Sequence, residues 1–354
     1  MTKLHIFNPE HDLSLASNLA NFTPPHAARQ LRSDLGFLPA IWADEGDGVL
    51  VDDAAYAEKT YKKFVANAKI GRKQIRWVTK QDLHSLHPDR IEPWGWDATL
   101  RNFLIRYGVS KQLLPTLEQI DELRWLSHRR CAAQLLQSIR LRDGLTGGVS
   151  ECRSVEEVEQ QIAAWGNVVL KAPWSSSGRG LRFVDGRPNS YVYGWLNNLL
   201  QRQGSVMVEP YYNKVKDFGM EFHSDGKGQI DYLGLSLFHT ANGAYTGNVL
   251  ATEQNKEDAL SRYIPVTYIE TVRKEIQQRL AEAFKGKYVG PFGIDMMIVA
   301  QDEKQGFVLH PCVEINLRRT MGHVALALSP ADDDIRRVMR IVIESNYKLK
   351  TYKL

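Results

Sequence analysis

Cysteine is scarce in this chain. Three occur in 354 residues, Cys131, Cys152 and Cys312. They are scattered, odd in number and in no metal-binding spacing, which excludes a disulfide framework and points to a reducing, cytoplasmic setting. An excess of one charge is also missing. The net charge is +4, and with no Lys/Arg block and no interleaved stacking aromatics the footprint of a nucleic-acid partner is absent. No apolar run is long enough to span a bilayer and the N-terminus lacks an apolar signal core, so no membrane partner is expected. Internal repeats and low-complexity segments are absent too.

What is present is ordinary globular composition, 43% hydrophobic and 24% charged, in a length that allows about two or three domains. Leu4 to Phe7, Phe37 to Trp42 and Ile75 to Thr79 read as strands, alternating with helices at 26–35 and 54–66. That order predicts a small parallel sheet covered on both faces. Asp97 is a candidate N-cap for a helix reaching about Tyr107, and 111–126 reads as a helical linker. Beyond it, helices are expected at 128–139, 191–203, 266–284 and 332–345, with a capping box from Ser154 to Glu157. Strands are expected at 168–171, 181–184, 205–209, 218–222 and 232–237. The domains are therefore placed at 1–110, 127–212 and 213–354, with the linker between the first two.

The chemistry concentrates between Tyr288 and His323. Two apolar strands are expected there, joined by the polar turn Asp302 to Gln305. Residues two apart in a strand share a face, so Glu314 and Asn316 point together, and Asp295 reaches them if the strands pair. Two carboxylates and an amide oxygen are hard ligands suited to Mg²⁺, with Mn²⁺ as the alternative, held jointly with substrate phosphates. Arg318 and Arg319 follow, as guanidinium groups for a developing anion. The competing reading is a surface hairpin with solvated charges.

A second signal is Lys171-Ala-Pro-Trp-Ser-Ser-Ser-Gly-Arg-Gly180. An ammonium at the end of a buried strand needs an anionic partner, and the glycines after it let backbone N–H groups approach an anion closely. It is no Walker loop, and a Ser/Gly turn is the competing reading. The third signal is Val206-Met207-Val208-Glu209, an apolar strand with an exit carboxylate, followed by Asp217 at the start of another strand. Taken singly, each acid reads as a solvated surface group before it reads as a ligand.

This order of Lys–Gly loop, apolar strand with Glu, Asp, and Asp…Glu-x-Asn-x-Arg resembles the ATP-grasp superfamily over Leu126 to Leu328. The resemblance implies two α+β lobes sandwiching ATP, preceded by an N-terminal parallel-sheet α/β domain. It implies that Lys171 binds the α/β-phosphates and that Ser175, Ser176, Ser177, Gly178 and Gly180 fold over the β/γ-phosphates. Met207, Val208 and Glu209 would form the adenine hinge and Asp217 would bind ribose. Asp295, Glu314 and Asn316 would hold the metal, and Arg318 matches the Arg that holds the acyl substrate in biotin-carboxylase-like members. Arg129 falls where the family usually has a further phosphate-binding Lys. Gly293 departs from the Arg often found two residues before the metal Asp, which leaves Arg318, Arg319 and Arg179 to neutralise the γ-phosphate. The implied activity is ATP-dependent joining of a small carboxylate to an amine or thiol. A phosphotransferase and a non-catalytic nucleotide-binding protein are the alternatives, and a homodimer is the commonest assembly for such a soluble chain. Asn8-Pro9-Glu10-His11-Asp12, at a strand end, and the stretch Thr240 to Asn248 are left without a role: substrate contact or turn for the first, mobile loop or plain hairpin for the second.

Overall fold

The computed structural model describes residues 2–139, 143–175, 180–241, 244–301 and 306–354. The chain forms two units. One comprises Met1–Trp125, Thr246–Glu253 and Leu317–Leu354, the other Leu126–Tyr245 and Gln254–Asn316.

The first unit begins with four parallel strands, β1 (Lys3–Ile6), β2 (Gly48–Leu50), β3 (Arg76–Val78) and β4 (Arg90–Pro93), in the order β3-β2-β1-β4. Between and after them run α1 (His11–Ser17), α2 (His26–Leu35), α3 (Ala54–Ala68), α4 (Ala98–Arg106) and α5 (Leu117–Leu126). Leu4 and Ile6 enter one core with Leu100 and Leu104, while Val49 enters another with Leu35, Tyr61 and Phe64. Both faces of the sheet are thus covered, as a parallel sheet requires. Asp97 caps α4 by accepting a hydrogen bond from Leu100 N at 2.9 Å. Trp94 is core, edge-on to Phe7 at 5.0 Å.

One expected strand is corrected. Residues 37–42 form a buried 3-10 turn, Leu38–Ile41, and the second strand is Gly48–Leu50. A short apolar run fits either structure. Pro39 decides it, because a residue without N–H suits the first turn of a helix and not the interior of a sheet.

The second unit opens with α6 (Arg129–Ile139). An antiparallel sheet follows, β5 (Ser150–Cys152), β6 (Asn167–Lys171), β7 (Leu181–Asp185) and β8 (Val206–Pro210), in the order β5-β8-β6-β7, with α7 (Val155–Trp165) and α8 (Ser190–Gln203) packed on it. Ser154 caps α7, its Oγ accepting a hydrogen bond from Glu157 N at 3.3 Å. A second antiparallel array holds β9 (Lys214–Ser224) and β10 (Ile230–Ala241). Thr240 and Ala241 close β10, and Ala244 opens β11 (Ala244–Leu250); Asn242 and Gly243, at the centre of the 240–248 stretch, lie outside the described residues. After α9 (Glu253–Ser261) and α10 (Val266–Phe284) come β12 (Gly290–Ala300) and β13 (Phe307–Asn316), giving the order β13-β12-β9-β10 within this unit. The turn at Asp302 to Gln305 also falls outside the described residues.

Phe292 anchors β12 from beneath. It is fully buried, stacked on Phe222 at 5.2 Å and edge-on to Phe284 of α10 at 5.1 Å. Phe292→Ala is expected to cost about 3–5 kcal/mol, because an aromatic cavity forms that its ring neighbours fill only in part. The urea midpoint checks it.

The chain then returns to the first unit through α11 (Met321–Leu328), whose N-terminus is closed by a reciprocal cap between Thr320 and His323. His323 is therefore a capping residue. The helix expected at 332–345 is instead β14 (Arg337–Ile343), paired antiparallel with β11 and with β15 (Tyr347–Lys353). Its Val338, Ile341, Val342 and Ile343 are β-branched and favour the extended strand. Gly247 allows β11 to lie close to β14, since a Cβ there would sit 2.4 Å from Met339 O. Among the described residues no helix is long and apolar enough to cross a membrane.

Candidate functional site

The site is assembled in the second unit, on the face shared by β13, β12 and β9. Asp295 pairs directly with Glu314 on β13 and with Gly219 on β9. In the next row Gly293 pairs with Asn316 and Glu221. Directly opposed strand residues point the same way, so Asp295, Glu314 and Asn316 share a face, as their phase in the sequence predicts. Asn316 Nδ2 donates to Asp295 Oδ2 at 3.1 Å. Glu314 Oε1 meets Arg129 Nη2 at 2.8 Å. The donor set for a divalent cation is then two carboxylates and one amide oxygen. No group of three or more His, Cys, Asp or Glu side chains suited to a metal occurs among the described residues. Such an incomplete shell fits Mg²⁺, which keeps waters and phosphate oxygens as its other ligands.

Arg129, at the first turn of α6, ties this face to the strand that carries Lys171. Its Nε donates to Ala172 O at 3.0 Å and its Nη2 to Ser175 Oγ at 3.4 Å, while the same Nη2 meets Glu314. Lys171 ends β6 with its side chain 9% exposed, and its Nζ pairs with Glu209 Oε2 of β8 at 2.5 Å. Its anionic partner in this structure is therefore a protein carboxylate. Cys312 lies two residues before Glu314 on β13 and is buried. Burial raises its thiol most, the Glu209, Asp295 and Glu314 carboxylates push it further, and Lys171 opposes them. Lys171, Glu209, Asp295 and Glu314 thus act on one buried side chain.

The remaining sequence-predicted residues divide. Met207 and Val208 are fully buried in β8, flanked by β5 and β6, so the ladders take their backbone groups; the β5 register ends at Ser150–Val208, and Glu209 is the first residue beyond it. Glu209 and Pro210, at the end of β8, lie beyond the β5 ladder. Asp217 lies on the same face as Asp295, two positions along β9 from Gly219, and accepts hydrogen bonds from Lys214 Nζ at 2.5 Å and Thr240 Oγ1 at 2.6 Å. Gly180 sits against Ser175, with no room for a Cβ. Ser176, Ser177, Gly178 and Arg179 lie outside the described residues. Arg318 and Arg319 belong to the first unit. There Arg318 grips Asp12 with Nε at 3.0 Å and Nη2 at 2.8 Å, and Arg319 stacks over Trp42 at 4.5 Å. The Asn8–Asp12 stretch thereby gains partners, since Asn8 also donates to Gly95 O at 2.8 Å.

Two residues on this sheet were missed. Glu221 is buried and shares the face of Asp217 and Gly219; the alternation Asp217-Phe-Gly-Met-Glu221 would have found it. His310 pairs with Met297 one row from Asp295, fully enclosed, edge-on to Tyr212 at 5.5 Å, with neither ring nitrogen hydrogen-bonded among the described residues. Burial, helped by the charge of Lys171, depresses its pKa from 6.5 to about 3. Between those values the unfolded chain binds a proton that the folded chain refuses. His310 therefore contributes full stability above pH 6.5, which is lost as pH falls towards about 3. His310→Leu is expected to remove a slope of about 1.4 kcal/mol per pH unit in that window. Urea unfolding at about pH 5 and about pH 7 measures it.

No family profile and no curated protein matches the chain. Solved structures do. A protein ascribed to the ATP-grasp superfamily from Archaeoglobus fulgidus matches over 100% of both chains at 12% identity and a TM-score of 0.51. The biotin carboxylase domain of the 2-oxoglutarate carboxylase from Hydrogenobacter thermophilus matches over 96% of this chain and 74% of its own, at 13% identity and a TM-score of 0.50. The chain has the ATP-grasp fold.

Proposed function

We propose that the protein is an ATP- and Mg²⁺-dependent ligase. It activates a small-molecule carboxylate as an acyl phosphate and joins it to an amine or, less often, a thiol. The observation that carries this reading is the convergence, within one unit of an ATP-grasp fold, of the Lys171–Glu209 pair, Arg129 and the Asp295/Glu314/Asn316 face. The Hydrogenobacter domain of this fold holds MgADP and bicarbonate.

In this reading Lys171 and Arg129 bind the triphosphate, with Glu209 at the hinge and Asp217 at the ribose. Asp295, Glu314 and Asn316 hold Mg²⁺, which supplies charge neutralisation at the transferring phosphoryl group. The substrate carboxylate attacks the γ-phosphorus and ADP leaves; the amine then adds to the acyl carbon and inorganic phosphate departs. No side-chain nucleophile is needed, and the protein contributes positioning and electrostatics. Arg318 already has Asp12 as a bidentate partner. Arg129, which meets both Glu314 and Ser175, takes the anion-stabilising role in this reading, with Arg318, Arg319 and Arg179 as further candidates.

The test is product analysis with Mg-ATP and a panel of carboxylates and amines. Equal amounts of ADP and free phosphate with a joined product support ligation. Phosphate retained on the product identifies a phosphotransferase, and ATP binding without ADP across the panel identifies a binding protein; either rejects the reading.

A further inference from the structure

The strand ends of the first unit surround a cavity of about 600 Å³. Asn8 and Glu10 follow β1, Asp52 follows β2, Lys80 follows β3 and Asp97 follows β4, and all of them line it. Open parallel sheets place ligands outside the carboxyl ends of their strands, and the volume is that of a small-molecule site.

Its wall carries an unmet polar demand. Glu10 is 6% exposed, and its Oε1 takes Arg32 Nη1 at 2.5 Å, but its Oε2 is buried with no hydrogen-bond partner among the described residues. Ser14, 4% exposed, has an Oγ in the same condition, and it too lines the cavity. Buried polar atoms are rarely left so. Burial, only partly offset by Arg32, also raises the Glu10 pKa, as expected of a carboxylate short of donors. A ligand N–H would meet either atom once the Glu10 or Ser14 side chain turns toward the cavity it lines. The charges on the wall balance, Glu10, Asp52 and Asp97 against Arg32, Lys80 and Arg106. Lys80 lies over the Tyr107 ring at 5.9 Å and Arg106 donates to Asn21 Oδ1 at 3.1 Å, and neither has a carboxylate partner among the described residues. A wall of both signs, with Arg32 held by Glu10 but, among the described residues, Lys80 and Arg106 without a carboxylate and one Glu10 oxygen unsatisfied, selects a ligand that itself carries both charges.

We infer that this cavity binds a small zwitterion of the α-amino acid or short-peptide type, its ammonium on Glu10 Oε2 and its carboxylate on Lys80 and Arg106. The inference stands apart from the nucleotide reading, since every residue it uses lies between Ile6 and Tyr107.

Calorimetric titration of the intact chain, without nucleotide, with the common L-amino acids and a set of dipeptides tests it. At least one is expected to bind saturably. Its N-acetyl and C-amide derivatives, and the variants Glu10→Gln and Lys80→Met, should each weaken binding about tenfold or more, the usual loss for one charge-assisted contact. Mg-ATP should not displace the ligand. Binding by none of the zwitterions, equal binding of the blocked derivatives, or displacement by Mg-ATP overturns the assignment. The derivatives decide it even if Glu10→Gln fails to fold.

Discussion

Lys171→Ala is expected to lose ATP turnover and stability together, and the two losses have different causes. Lys171 and Glu209 form a pair with side chains only 9% and 8% exposed. Removing the ammonium strands a carboxylate in a buried site, which costs about 3–5 kcal/mol. The same ammonium is assigned to the nucleotide phosphates, and loss of one such charge slows turnover by about two to three orders of magnitude. The double variant Lys171→Met/Glu209→Gln separates the effects. Without a stranded charge it should recover most of the stability, because neutral replacement of a buried ion pair is often close to neutral in energy. It should recover none of the turnover. Urea midpoints and steady-state ADP formation give the two readouts. Near-normal ADP formation by either variant would mean that phosphates bind elsewhere.

How much of this was legible in the sequence depends on the range of the interactions involved. Local rules worked. Asp97 and Ser154 cap the helices they precede, and the two-residue phase of Glu314 and Asn316 puts both on the face of Asp295. The β12/β13 pairing is short-range, so the shared face could be anticipated, but the register shift between Asp295 and Met297 could not. Residues 37–42 and 332–345 failed because a brief apolar run carries no unique period, and its neighbours decide: the buried turn at Pro39 for one, the β15 partner for the other. Partner choice over long range was invisible. Nothing near Arg318 in the sequence indicates that Asp12, 306 residues away, holds it with both carboxylate oxygens. Nor does anything near Arg129 show that it bridges Ser175 and Glu314. Short spacing points to a guanidinium beside Asn316 for the metal face; the fold supplies one from α6.

That substitution shapes the second large prediction, on Glu314. Its carboxylate faces two demands, Arg129 at 2.8 Å and the cation assigned to the row it shares with Asp295. Glu314→Gln keeps the volume and removes the charge. If Glu314 only positions Arg129, the variant should behave like Arg129→Ala, with weaker ATP binding and an unchanged Mg²⁺ requirement. If it ligates the metal, ADP formation should fall by about two to three orders of magnitude. The Mg²⁺ concentration for half-maximal rate should also rise, because an amide oxygen is a poorer ligand than a carboxylate for a hard cation. Arg129→Lys supplies the contrast. It retains the charge and loses the fork that spans Ala172, Ser175 and Glu314, so a fall of about tenfold is expected without a change in Mg²⁺ dependence. Titrating Mg²⁺ at saturating ATP in both variants discriminates, since a purely structural Glu314 would leave the metal curve where it is. The metal assignment is the stronger expectation: Asp295 and Asn316 flank the same carboxylate, and so close a pair of acids is held together more favourably by a shared cation than by one guanidinium.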